Sequence, residues 1–387
     1  MKRSEARTLT THVGSLARPH ALLDVMRARE HGEAYDEGQL RELTREAVAD
    51  VVAMQVERGI DVVTDGEQSK LGFFQYLNER LGGVETRPGS LRLAPSWQLE
   101  VDMFPEYYDG YLRKYSSDSG PSPSNVMVCT GPVTYAGADA VGRDIENLRA
   151  ALEGRDVEEA FIPSSAPAAF GLNEHYATEE EYVLAIAEAL REEYRAIVDA
   201  GFLVQVDDPF LIDLLMEHPE EGIEARRDVA RAHIEVVNHA LRGIPPERVR
   251  LHTCYGLNHG PRLHDVPLGD VVDLMLTIDA GAFSFEVGNP RHQHEWRVWE
   301  DTKLPEGRLL IPGFLCHAHN FVEHPRLIAD GILTYARLVG RENVIAGADC
   351  GFSSRAIYAP EVHPTVAWAK LAALVEGARI ASAELWP

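Results

Sequence analysis

The chain has 387 residues, with 37 lysines and arginines against 61 aspartates and glutamates, a formal net charge of −24, and is 45% hydrophobic and 25% charged. These proportions describe a globular protein. With no 18-residue apolar run and no apolar signal segment behind MKRSEARTLT, a cytoplasmic protein is expected rather than a membrane-spanning or secreted one. The acidic excess and scattered arginines argue against nucleic acid or an anionic membrane as partner.

Eight short apolar runs bounded by turn residues read as strands: 7–15, 59–67, 125–135, 202–210, 248–256, 282–289, 308–317 and 343–351. Most are apolar at the front and polar or glycine-rich at the back. Between them lie helical patterns. Residues 37–59 carry an i, i+3, i+4 apolar stripe ending at Gly59, and 178–201 start in an acidic first turn behind Thr178 and stop at Gly201. Residues 223–243, 324–340 and 360–383 behave alike, and 266–281 is a weaker case.

Strand and helix alternating about eight times predict an α/β fold, a (β/α)8 TIM barrel. A doubly wound sheet also alternates, but it gives no reason for reactive side chains at the back of nearly every strand, the face where barrel active sites lie. The surplus over a typical barrel is assigned to an N-terminal extension and to insertions near 80–124 and 140–177 of one elaborated domain, residues 1–387. The tyrosine and glycine content of 80–124 is compatible with a lid over the mouth, which the sequence leaves open.

The four cysteines, Cys129, Cys254, Cys316 and Cys350, are too few for a disulfide framework. In His252-Thr253-Cys254, imidazole and thiol point to the same side of a strand, and both are good zinc ligands. Glu286 closes the next strand run, and Cys350 closes the last. A carboxylate behind four apolar or small residues is costly to bury without a cation or donor. In a closed barrel the four converge on one mouth as a four-ligand zinc site. The bland readings are a buried cysteine beside a hydrogen-bonded histidine, a Glu286 salt bridge to an arginine such as Arg291, and Cys350 as a small core residue.

Other strand ends add polar groups. Asp207-Asp208-Pro209 and Asp65-Gly66-Glu67 place paired carboxylates there, suited to a substrate amine or hydroxyl or to acid–base work. Gly14-Ser15 offers backbone N–H groups and a hydroxyl to a ligand. Of the histidines at 292, 294, 317, 319 and 324, His317 or His319 is the candidate proton donor.

The set THVGS (11–15), DGE (65–67), TGPVT (130–134), QVDDP (205–209), HTCYG (252–256), FSFE (283–286) and ADCGF (348–352) resembles the catalytic C-terminal barrel of cobalamin-independent methionine synthase. The stretch NPRHQHEWRVWED…IPGFLCHAHNFVEHP resembles its short single-barrel relatives, a branch that includes epoxyalkane:coenzyme M transferase. The resemblance implies Zn2+ held by His252, Cys254, Glu286 and Cys350. It places Gly14, Ser15, Glu67 and Asp207 around the polar end of a thiol substrate and gives His317, three residues before Asn320, a mobile-proton role. Asp208 stands where the synthase motif has Glu, His319 is an extra histidine, and residues 1–387 carry no counterpart of the synthase's folate-gripping N-terminal barrel.

The expected function is zinc-dependent transfer of a methyl or other alkyl group to a small-molecule thiol, with the zinc-bound thiolate as nucleophile. The donor would be methyl-folate, a methyl-corrinoid or an epoxide, and a methyl-carrying protein is a further candidate partner. The first alternative is an epoxide-opening, coenzyme M-type alkyltransferase. A zinc hydrolase fits less well, because two cysteine ligands are unusual where zinc hydroxide is wanted. A zinc-stabilised binding protein leaves the strand-end acids without a role.

Overall fold

The computed structural model describes residues 1–89, 95–117, 125–256 and 260–387. In chain order its strands are β1 (Leu9–Thr10), β2 (Val62–Thr64), β3 (Leu81–Pro88), β4 (Asn125–Tyr135), β5 (Glu159–Ser165), β6 (Leu172–Asn173), β7 (Leu203–Asp207), β8 (Val249–His252), β9 (Ala282–Glu286), β10 (Leu309–Gly313) and β11 (Ile345–Ala346).

Eight of these form a parallel ring. The six-stranded sheet runs β10-β9-β8-β7-β5-β2, and β1 pairs with β11. Parallel bridges Leu310–Val344 and Gly313–Gly347 join β10 to the segment around β11. On the other side the Asp61 amide donates to the Thr10 carbonyl (3.2 Å) and Thr11 Oγ1 to the Val62 carbonyl (2.9 Å). The result is the expected α/β barrel, and the strand residues of β2, β7, β8, β9, β10 and β11 are buried throughout, as all-parallel strands covered on both faces require.

The helices fall where their caps predict. Asp36 accepts from the amides of Gly38 and Gln39 at the start of Glu37–Glu57, and Thr178 accepts from Glu181 N at the start of Glu179–Asp199. Helices Ile223–Leu241, Pro325–Val339 and Pro364–Leu385 follow the remaining stripes. The weak stretch 266–281 yields only two short turns, Leu268–Asp270 and Val272–Met275. Among the described residues, no helix is long and apolar enough to cross a membrane.

One strand differs from expectation. The run 125–135 is a strand, but it pairs antiparallel with β3 and parallel with β6, outside the ring. The third barrel strand is β5, within 140–177, and the helix Ala138–Leu152 precedes it. A local apolar run says that a strand forms, not which sheet receives it. In β5 a Pro at 163 and a closing Ser164-Ser165 mask an otherwise buried strand, and proline in a run normally argues against a central strand.

Candidate active site

The parallel register aligns the reactive residues. Asp207 sits opposite Ser165 on one side and His252 on the other, His252 opposite Ser284, and Glu286 opposite Gly313. These positions are at the C-terminal ends of their strands, so the ring delivers them to one face.

Two groups of side chains there are able to hold a metal ion: His252 with Cys254 and Cys350, and Glu286 with His317 and Asp349. All six are buried, and within each group the donor atoms lie within 4.8 Å of one another. Cys254 Sγ and Cys350 Sγ are 3.5 Å apart. The Cys350 sulfur and burial together hold the Cys254 thiol well above its usual pKa. His252 Nδ1 lies 3.2 Å from Ser284 Oγ, while its buried Nε2 has no hydrogen-bond partner among the described residues. Burial pushes this imidazole down to about 3, which keeps it neutral. A neutral imidazole with an orphaned nitrogen beside two thiols is a donor set that suits a divalent, thiophilic cation.

Glu286 is engaged elsewhere at present. Its Oε1 accepts the Tyr255 amide (2.8 Å), and its Oε2 takes Arg262 Nη1 (3.2 Å). Although burial alone would raise its pKa, Arg262, His317, His292 and the Tyr255 amide together outweigh it and hold the carboxyl below its ordinary value. The sequence pairing with Arg291 is replaced by Arg262, an unsuspected residue. Asp349 was missed as well. Its Oδ1 accepts from the amides of Val287 (2.8 Å) and Gly288 (2.7 Å), and Oδ2 is buried without a hydrogen-bond partner among the described residues. Gly313 gives it room, since a Cβ there would collide with the Asp349 backbone. Of the two candidate histidines, His317 is buried with Glu286 and Asp349, its Nε2 3.2 Å from the Gly256 carbonyl. His319 is partly exposed beside Phe321.

The acids expected around a substrate's polar end divide. Glu67 and Asp207 are both buried in the barrel mouth. Burial raises the pKa of each, and for Asp207 the neighbouring Glu67 adds to the rise. Gln205 Nε2 donates to Asp207 Oδ1 (2.8 Å), and Glu67 Oε2 has no hydrogen-bond partner among the described residues. Glu67 is held at φ 55, with Asp65 Oδ1 accepting its amide at 2.9 Å; a left-handed non-glycine conformation is the kind of strain found at functional positions. Gly14, at φ 146, lies against them, and a Cβ there would stand 2.8 Å from Pro163 Cγ and 2.9 Å from Glu67 Oε1. Ser15 Oγ lies 3.2 Å from Ser354 Oγ, on the loop that follows Cys350. Asp208 turns to other work. Its carboxylate meets His233 Nε2 at 2.9 and 3.0 Å and accepts the Leu211 amide at 3.2 Å, tying the helix Ile223–Leu241 to the strand end.

No protein-family model matches the chain. It is 25% identical over 381 residues to a methionine synthase of Saccharolobus islandicus, covering 97% of this chain and 95% of that one. It is 27% identical over 248 residues to a methionine synthase of Sulfolobus acidocaldarius, where the alignment spans 64% of this chain and 61% of the relative, less than two thirds of its length. Among solved structures, a B12-independent methionine synthase from a Shewanella species in complex with selenomethionine has the same fold, with a TM-score of 0.71 at 20% identity over 98% of this chain and 99% of that one. A putative vitamin-B12 independent methionine synthase from Listeria monocytogenes follows, with a TM-score of 0.66 at 18% identity over 97% and 98%. Over nearly its whole length the chain is thus similar to proteins named methionine synthase.

Proposed function

We propose that the chain transfers a methyl group to the sulfur of a small thiol, with zinc held by His252, Cys254 and Cys350 and with Glu286 beside them as an exchangeable fourth donor. The observation that carries this reading is the convergence of one orphaned imidazole nitrogen and two thiols at the mouth of the barrel. Bound there, zinc supplies a Lewis acid that ionises a thiol at neutral pH, and the thiolate is the nucleophile that alkyl transfer needs.

The chain's own groups complete the chemistry. Glu67, whose buried Oε2 has no hydrogen-bond partner among the described residues, and its neighbour Asp207 receive the cationic end of the thiol substrate, and Gly14, where a Cβ would strike Glu67 Oε1, lets that carboxylate pack against the backbone. Ser15 binds the same polar end. His317, next to Glu286 and Asp349, supplies the proton that the donor's leaving group takes up. The full-length relatives named methionine synthase favour a homocysteine-like thiol. The methyl donor is then a methyl-folate or a methyl-corrinoid, the latter presented by a methyl-carrying protein.

The test is direct. Zinc-loaded protein is incubated with L-homocysteine and either methyl-folate or methylcobalamin, and the thiol is followed by mass spectrometry. S-methylation with one donor, lost on chelation and restored by zinc, is expected. No thiol consumption with either donor contradicts the methyl reading. A product from an epoxide and coenzyme M with a hydroxyl beside the new C–S bond would move the assignment to the epoxide-opening branch.

A further inference from the structure

Arg18 is a buried cation that the proposed chemistry does not use. It donates to three backbone carbonyls: Nη1 to Ser353 at 2.7 Å, and Nη2 to Glu67 and Lys70, each at 2.7 Å. Ser353 follows closely on Cys350 in the chain. One side chain therefore joins the loop that carries the Glu67 carboxylate to the loop that carries a metal-site sulfur. Burial lowers the pKa of Arg18 to about 10 against the pull of Glu67 and Asp65, which leaves it charged at neutral pH. Its planar fork reaches carbonyls on two loops at once, a geometry that the point-like ammonium of lysine does not match.

The same two loops also touch farther along. The Phe73 amide donates to the Ser354 carbonyl (3.1 Å) and the Ala356 amide to the Leu71 carbonyl (2.7 Å), and Gly72 bridges Arg355 in antiparallel fashion. Arg18 holds the residues next to this ladder on the side of Glu67 and Cys350. There Glu67 keeps its left-handed conformation, φ 55. Its amide is tied to Asp65 Oδ1 at 2.9 Å, and its carbonyl accepts from Arg18 and from the Lys70 amide (3.0 Å). A strained backbone of this kind persists only where its surroundings over-determine it. Loss of Arg18 therefore loosens Glu67 first, while the ladder keeps the loops together.

We propose that Arg18 is a positioning residue that fixes the span between Glu67, which receives the substrate's cationic end, and the metal, which receives its sulfur, and so sets the length of thiol the site accepts. The inference rests on the function proposed above. A rigid span favours the one substrate whose sulfur reaches the metal while its cation reaches Glu67, and misplacement by about 1 Å is enough to cost about 100-fold in rate. A span free to vary loses that preference before it loses the metal.

The experiment compares kcat/KM of the zinc-loaded full chain for L-homocysteine and for L-cysteine, one methylene shorter, with the methyl donor that supports turnover. Wild type is expected to favour homocysteine by about tenfold or more, the value of one methylene in a fitted site. In Arg18→Met that ratio is expected to fall by about tenfold, with the zinc content at the wild-type level. Arg18→Lys keeps the charge but not the fork, so it is expected to lose the same discrimination, and it serves where Arg18→Met does not fold. Circular dichroism checks the fold of each. A folded variant that keeps the wild-type ratio, whatever its absolute rate, overturns the proposal, and so does one that loses zinc. A wild type that methylates both thiols equally well also overturns it, an arm that stands even where neither variant folds. A wild type that methylates neither thiol overturns the proposed function itself, a separate failure.

Discussion

Cys254 and Cys350 lie 96 positions apart in the chain, yet their sulfurs stand 3.5 Å from one another at the mouth of the barrel. The closure of β11 onto β1 and β10 brings them there. Both are free thiols. In the proposed metal-bound protein they would be ligands, and zinc would then protect them from alkylation. Iodoacetamide labelling followed by peptide mass spectrometry is expected to modify Cys254 and Cys350 at least about tenfold faster after chelation than before it, because a sulfur donating to zinc carries less charge and is hemmed in by the other donors. Equal labelling with and without metal would separate the two thiols from the site.

Glu67 and Asp207 are assigned to the substrate and not to the metal. Glu67→Gln is therefore expected to leave the zinc content at the wild-type level while raising KM for the thiol by about 10- to 100-fold, the loss of a charge-assisted hydrogen bond worth about 1.5–3 kcal/mol. Steady-state kinetics beside elemental analysis checks it. A variant that loses zinc, or one with unchanged KM, would place Glu67 elsewhere in the mechanism.

Gly14 occupies a backbone conformation at φ 146, with Pro163 and Glu67 within 2.9 Å of where a Cβ would be. Gly14→Ala must move one of them or strain the turn, at a cost of about 1–3 kcal/mol. We expect a lower melting temperature and weaker thiol binding together. A variant with wild-type melting and wild-type KM would show that the approach of Gly14 to Glu67 has no consequence.

His292 carries the pH dependence. Burial lowers its pKa, but hydrogen bonds to Asp265 and Glu295 outweigh burial and raise it from 6.5 to about 9. A folded-state pKa above the unfolded value stabilises fully below the unfolded pKa and is lost as the pH rises through the folded one. The imidazolium thus contributes about 3 kcal/mol at pH 6 or below, and that contribution fades between pH 6.5 and 9. Urea unfolding of wild type and His292→Asn at pH 6, 7.5 and 9.5 is expected to show a gap that narrows with rising pH. A gap that is constant or that widens would contradict the charged assignment.

Much of the site is legible in the sequence because a parallel barrel converts strand ends into one surface. His252, Cys254 and Cys350 could be grouped without coordinates, since each closes an apolar run and period-two geometry puts His252 and Cys254 on one side. What escaped depends on chain path. Arg262 lies in GPRLHDVP (260–267), a stretch with no periodicity, and it meets Glu286 only through a tertiary contact across 24 positions. Asp349 was one residue from a singled-out cysteine, and the signal available was the lone acid inside the buried run VIAGADC. Asp208 looked equivalent to Asp207, but alternation turns neighbours to opposite faces, and Asp208 meets His233. For the same reason of non-local pairing, 125–135 passed for a barrel strand and β5 did not.

The central claim is a zinc site built from His252, Cys254 and Cys350, and the most direct measurement is zinc per chain by elemental analysis, on wild type and on Cys254→Ser and Cys350→Ser. The account predicts about one zinc in wild type, as one site of this kind holds, and loss of most of it in both variants with the fold intact. A wild-type chain purified without chelators that holds no zinc and takes up none on addition, or variants that retain it in full, would contradict the account.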